Sequence, residues 1–461
     1  MSERMRGHTV RERATIHRTA WVFLLALVAA VGLLVGGLTP SVAAPASLHA
    51  ATGAKAAAYE TTIDLAVHDL QLWWDDQMPE VYGIEYTPIP TTKVIAYTSR
   101  TRVPQCGPER ATYDDLAMNA FYCSVGKYVA YDNEQLFPYL AEEFGDFTIA
   151  LALAHEWGHA VQDQAGITGP TIALEQQADC FAGAWVRHLA DGESGSLSLN
   201  EGNLDTGLAG YLTLRDTPGS DPAADDAHGS AFDRVGAFQE GYDGGAPRCA
   251  RFDTDPPQLT DIPFSSEAEA KAGGNAPLRD VVPDVVDDLD RYWGSLLTSY
   301  ETVAIRSFDP RAGRPRCGTA TLPKSTDIAF CPRTNTIVVD KGLFPDVYRR
   351  SGDFGVAALV AAEWAVAMQD HEGVTGEDKA LELQQSCFTG SWTGSIAGGG
   401  HDTTLVLSPG DLDEVIQSYL IFTDEGKVAA GTGASAFENV DAFRVGFFQG
   451  EGACLDYVPG S

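Results

Sequence analysis

Apolar and polar positions fall into a few clear patterns along the chain. From Tyr59 the spacing predicts a helix through Val67, Leu70, Trp73 and Trp74, and Thr92 to Ser99 (TKVIAYTS) has the β-branched and aromatic character of a strand. Cys106-Gly107 and Tyr122-Cys123 bracket a polar loop, and Tyr128 to Asp132 (YVAYD) reads as a second strand. Gly145-Asp146 can start a helix that Gly166 can end, and a further helix is expected from about Thr171 to Leu189 with Glu175 and Asp179 on one face. A Gly/Ser/Asn loop near Asp191 to Asn203, another helix, a loop rich in Asp and Pro, and the stretch HGSAFDRVGAFQEGY from His228 complete this half. Pro256 to Pro277 lacks strong periodicity and suggests a linker.

The pattern then recurs. AAEWAVAMQD at Ala361 to Asp370 lies over AHEWGHAVQD at Ala154 to Asp163, and the same offset of 207 carries LEQQADCFAG at Leu174 onto LELQQSCFTG at Leu381. Trp74 corresponds to Trp293, Cys106-Gly107 to Cys317-Gly318, YVAYD to TIVVD at Thr336, and SAFDRVGAF at Ser230 to SAFENVDAF at Ser435. This predicts a tandem duplication. The expected fold class is α+β: two mainly helical domains, each with a small β-sheet, at residues 59–253 and 279–461, joined by a linker at 254–278.

The repeat also organises the eight cysteines, four in each half in the same order. It suggests Cys106 with Cys123 and Cys180 with Cys249, copied as Cys317 with Cys331 and Cys387 with Cys454. A rival reading makes Cys180 a metal ligand; it is off the face of Glu175, and Cys387 persists where the histidines do not. Disulfides need an oxidising compartment, and residues 1–50 fit one. Arg4, Arg6, Arg11, Arg13 and Arg18 precede an apolar run from Ala20 to about Leu38, and small residues at Val42, Ala44 and Ala46 offer cleavage sites. This is a signal peptide or, uncleaved, an N-terminal membrane anchor, so the body of the protein is expected outside the cytoplasm. The net charge of −33, from 64 acidic and 31 basic residues, argues against a nucleic-acid partner.

The candidate chemistry lies in Leu151 to Gln162, LALAHEWGHAVQ. Helical spacing sets His155 and His159 on one face, where two imidazoles can grip one Zn²⁺ while Glu156 leans toward a water. A catalytic zinc takes three protein ligands and keeps one position open. Glu175, sixteen residues past His159, is the best third candidate, with Asp179 one turn on to orient a ligand histidine. The reverse assignment, Asp179 as ligand and Glu175 as support, is disfavoured because the shorter side chain suits the outer position. Glu156 is the expected general base, and His228 is a candidate donor to the developing oxyanion, unless it is only a loop histidine. His188, His68, Trp157, Trp185 and Gln162 read as helix-surface, core or packing residues, and the acidic loop Asp191 to Asp205 as a solvated turn and helix cap.

These residues resemble a group of bacterial neutral zinc metallopeptidases that carry HExGHxxQ followed by E-x-x-A-D-C-x-A-G-x-W. Here the motifs stand as His155-Glu-Trp-Gly-His159-Ala-Val-Gln162 and Glu175-Gln-Gln-Ala-Asp179-Cys-Phe-Ala-Gly183-Ala-Trp185, and the likeness covers roughly Tyr59 to Asp253, including Asp132, His228, Arg234 and Cys249. The resemblance implies a zincin-like fold, Glu175 as third ligand, one zinc, and hydrolysis of a peptide or protein substrate. In the copy His155 becomes Ala362, His159 Val366, Asp179 Ser386 and His228 Gly433, while Glu363 and Glu382 survive. The second half is therefore expected to be a folded pseudo-domain without a catalytic metal. The alternative is a non-catalytic extracellular binding or scaffold protein.

Overall fold

A computed structural model describes residues 53–108, 110–199, 201–224, 227–420, 433–455 and 457, and the expected export segment at 1–50 lies outside the described residues. The first half runs α1 (Gly53–Tyr82), β1 (Val94–Tyr97), a one-turn α2 (Tyr113–Leu116), β2 (Ala120–Cys123), β3 (Tyr128–Asp132), α3 (Leu136–Glu143), α4 (Phe147–Ala165), α5 (Thr171–Ala190), α6 (Glu201–Leu212) and α7 (Ala231–Cys249). After the short α8 (Glu267–Ala272) come α9 (Leu278–Leu296), β4 (Ala304–Phe308), the small hairpin β5 (Arg316–Cys317) and β6 (Ala320–Thr321), β7 (Ile328–Cys331) and β8 (Thr336–Asp340). The chain continues through α10 (Leu343–His371), α11 (Asp378–Gly398), α12 (Asp411–Ser418), α13 (Ala436–Gln449) and α14 (Glu451–Cys454). Helices dominate and the sheets are small, an α+β arrangement.

Each half centres its three-stranded sheet on a strand written as a nearly continuous apolar run. The orders are β1-β3-β2 and β4-β8-β7. In both, the first strand pairs in parallel with the centre and the third in antiparallel, with Val94 and Tyr122 flanking Val129, and Ile305 and Phe330 flanking Ile337. β2 was not legible as a strand, because its residues alternate no apolar face and are only half-buried until Cys123. The kinks also match. Gly145 (φ 85°) separates α3 from α4, and Gly352 (φ 82°) breaks α10 at the corresponding place; both need the left-handed region that glycine enters freely.

Close helix packing repeats as well. A methyl on Gly183 would overlap the Phe238 carbonyl and one on Gly241 the Cys180 carbonyl, just as Gly390 faces Phe443 and Gly446 faces Cys387. Backbones this near let a disulfide join α5 to α7 and α11 to α14. All four expected bridges form, Cys106–Cys123, Cys180–Cys249, Cys317–Cys331 and Cys387–Cys454, so Cys180 is not a metal ligand.

One apolar core runs through both halves. At their junction the contacts are reciprocal. Phe232 packs on Phe443 and Phe447, and Phe437 packs on Phe238 and Tyr242. Gln239 donates to the Phe437 carbonyl while Arg444 donates to that of Phe232. Asp413 accepts the Phe232 N–H at 2.8 Å at the start of α7, and Asp205 accepts those of Ala436 and Phe437 at 2.9 and 3.0 Å at the start of α13. The same patch of each half meets the other, as in an isologous dimer. The acidic loop thus ends in a cap, but one given to the opposite half.

The expected linker is also more engaged than its composition suggests. Thr260 donates its N–H and hydroxyl to Asp233, and Glu269 of α8 takes the Ser408 hydroxyl. Among the described residues α10 alone is long and apolar enough to cross a membrane, and 83% of that stretch is buried within the protein, as in a core helix.

Candidate metal centre

α4 is apolar on nearly every face, so the protein buries most of it, and His155, Glu156 and Gln162 go inside with it. His155 and Glu156 are 5% and 7% exposed. Gly158 explains how a second helix comes so near: a Cβ there would lie 2.8 Å from the Ala178 Cα of α5. Only a glycine lets α5 lie against the HEWGH turn, and this contact brings Glu175 and Asp179 to the two histidines.

Three donor atoms converge. His155 Nε2 lies 3.1 Å from Glu175 Oε2, His159 Nε2 lies 3.3 Å from Glu175 Oε1, and the two Nε2 atoms are 3.1 Å apart. Each ring's other nitrogen is occupied. His155 Nδ1 faces Asp179 Oδ1 at 2.8 Å and the Tyr211 hydroxyl at 2.7 Å, and His159 Nδ1 faces Gln162 Oε1 at 2.9 Å. Gln162 is fixed in that sense because its amino group donates to Leu174 O and Gln177 Oε1. Rings protonated on Nδ1 turn two Nε2 lone pairs and a carboxylate toward one point with no donor among them. Such a set could hold a cation. Bonds of about 2.0–2.1 Å in a tetrahedron put ligand atoms roughly 3.3 Å apart, so the spacing suits one zinc ion.

With no ion between them, the same groups pair as charges. Burial pulls His155 down, but Asp179 and Glu175 more than reverse this and hold it at about 10. Burial likewise works against the Glu175 carboxylate, yet His159 and His155 keep it well below the usual range. Asp179 stays ionised because Arg234 grips it through Nε at 2.8 Å and an outer nitrogen at 2.9 Å. Glu156 belongs to no such pair. Burial pushes it up, opposed by the two imidazoles and by the Tyr122 N–H, which donates to it.

The chain has relatives over part of its length. Over 169 residues it is 29% identical to Uncharacterized protein Rv2575 of Mycobacterium tuberculosis (strain ATCC 25618 / H37Rv), covering 31% of this chain and 56% of that protein. Over 191 residues it is 27% identical to Uncharacterized protein YpfJ of Escherichia coli (strain K12), covering 35% of this chain and 61% of the relative. The chain therefore spans little more than half the length of these relatives. No family profile matches it, and no solved structure does.

The structure brings together His155, His159, Glu175 and Asp179, with Glu156 alongside. His228 stands on a loop that Asp216 and Gln176 secure: its N–H bonds Asp216 Oδ2, its ring nitrogen lies 3.3 Å from Oδ1, and its carbonyl takes the Gln176 amide. Its side chain remains 30% exposed. Trp157 and Trp185 are wholly buried, as expected of core residues.

Sequence reasoning missed Tyr211 altogether and gave Gln162 a packing or hydrogen-bonding role at the helix end, not one at the site. Tyr211 accepts from Arg234 at 2.8 Å while touching His155, so it completes the support behind that ring. A signal existed: GYL at Gly210 to Leu212 is matched by SYL at Ser418 to Leu420. The other close group of possible ligands among the described residues, Asp353, Asp411 and Glu414, has no imidazole. There burial, together with mutual repulsion, holds Glu414 at about 9 and pushes Asp411 well up.

Proposed function

We propose that the chain is an exported zinc metallopeptidase, a tandem duplication of a zincin-like domain with the ion in residues 59–253 and a metal-free copy in 279–461. The observation that carries this reading is the convergence of His155 Nε2, His159 Nε2 and the Glu175 carboxylate, with both Nδ1 atoms already engaged. A zinc ion held there supplies Lewis acidity, which polarises a carbonyl and makes water easier to deprotonate. Glu156 is the base. Its raised affinity for a proton suits it to take one from the attacking water and return it to the leaving amine.

The substrate is a peptide in extended form. Among the described residues β2 pairs with β3 alone, and its Tyr122 N–H points to Glu156, so its outer edge runs beside the base. A peptide added along that edge as a further strand presents its carbonyls to the site. His228, whose backbone carbonyl takes the Gln176 amide, is the proposed donor to the oxyanion. His228→Ala should then cut kcat about 10²-fold or more with zinc content unchanged; an unaltered kcat would remove it from the mechanism.

The decisive test is metal analysis of the purified chain beside Glu156→Gln, with both assayed on a broad peptide library. The expected result is one zinc per chain in each and peptide cleavage by the unsubstituted protein alone, with a loss of roughly 10²–10⁴-fold in the variant. Bound zinc without cleavage of any peptide would leave the scaffold reading in its place.

A further inference from the structure

The half that lacks the two site histidines, with Ala362 and Val366 in their places, reaches the candidate metal centre of the other half through the Asp413 carboxylate. Asp413 of α12 is 3% exposed and lies at the first turn of α7, where it accepts the Phe232 N–H at 2.8 Å and also that of Ala231. Its second oxygen faces Arg215 Nε at 2.8 Å. Both contacts lead to Arg234. That residue sits on the turn of α7 that Asp413 caps, and it donates to the carbonyl of Leu214, the neighbour of Arg215, at 3.2 Å. Arg234 in turn holds Asp179 and Tyr211, the two groups on His155 Nδ1.

We infer that Asp413 is a positioning residue for the metal centre: it seats the start of α7 and Arg215 so that Arg234 fixes Asp179 and Tyr211 against His155. This gives the second half a part in the chemistry, and it rests on the reading of the first half as a zinc site. A purely structural role would look different in one respect. The reciprocal cap, Asp205 on α13, does the same mechanical work, but the helix it caps carries Asn439 where α7 carries Arg234, and no imidazole lies beyond it. The two caps are therefore a matched pair in which only one leads to a ligand.

The pair supplies the experiment. Full-length Asp413→Ala and Asp205→Ala are compared for thermal midpoint, zinc affinity by chelator competition, and the visible spectrum of the cobalt-substituted protein. Asp413→Asn, which keeps an oxygen for the Phe232 N–H, serves if the alanine variant does not fold. Loss of an outer support for a ligand typically costs 10- to 100-fold in metal affinity. The expected result is such a loss, with an altered cobalt spectrum, in the Asp413 variants, and zinc affinity within about twofold of the parent for Asp205→Ala. Equal zinc affinity in all proteins, or the same loss from both caps, would overturn the inference while leaving the metal site itself intact. A parent chain that binds no zinc would instead refute the metal site, and with it this role.

Discussion

In the first half His155, Asp179 and Arg234 stand buried with His159 half-buried beside them; at the matching places of the second stand Ala362, Val366, Ser386 and Asn439. Around them little differs, since the sheet order, the glycine kink and the disulfides recur. The difference teaches that the charged set exists as a unit. A buried ion survives only with a partner, so removing the histidines leaves Asp179 and Arg234 without purpose, and neutral Ser386 and Asn439 bond each other at 2.7 Å instead. The two surviving carboxylates kept other donors. Glu382 accepts from the Gly433 and Ala434 backbone and from Asn439, and Glu363 accepts the Phe330 N–H at 2.8 Å. Both act as structural acceptors.

This contrast can be broken from either side. The largest effect is expected from Arg234→Asn alone, which strands the buried Asp179 carboxylate and should cost about 3–5 kcal/mol in chemical denaturation. Adding Asp179→Ser reproduces the solution of the second half and should restore most of that stability, while zinc affinity stays 10- to 100-fold down. A double variant no more stable than the single one would mean that the charged set is not exchangeable as a unit.

A smaller effect separates the two equivalent glutamates. Burial raises Glu363 to about 7 from its ordinary 4.5, and one of its oxygens has no partner. Because the folded value is raised, the unfolded chain loses this proton first: stability is intact below about pH 4.5, falls as pH rises, and is fully lost above about 7. At 1.36 kcal/mol per unit the penalty is about 3 kcal/mol. Glu363→Gln should therefore stabilise the protein by about 2–3 kcal/mol at pH 8 and hardly at all at pH 4.5, with peptidase activity preserved, whereas Glu156→Gln abolishes activity. Equal stabilisation at both pH values would refute the assigned cause.

Much of this was legible in advance because it is written locally. The helix of the HEWGH segment begins and ends at Gly145 and Gly166 as expected, the five residues of β3 were placed without error, and the copied cysteine order gave all four bridges. What escaped is made by contacts between distant segments. Gln162 looked like a helix-end residue because nothing nearby in sequence shows that Leu174 and Gln177 turn its oxygen to His159. Tyr211 comes from a helix with no site motif of its own. Asp205 ends a loop that reads as a solvated turn and helix cap, and only the docking of the two halves sends it and Asp413 each to the other half.

The most direct test of the central claim is anomalous diffraction at the zinc edge from crystals of the zinc-loaded chain. The account predicts a single peak per chain, within about 2.0–2.2 Å of His155 Nε2, His159 Nε2 and a Glu175 oxygen. A peak in the second half, or one in the first half that Glu175 does not touch, would contradict it.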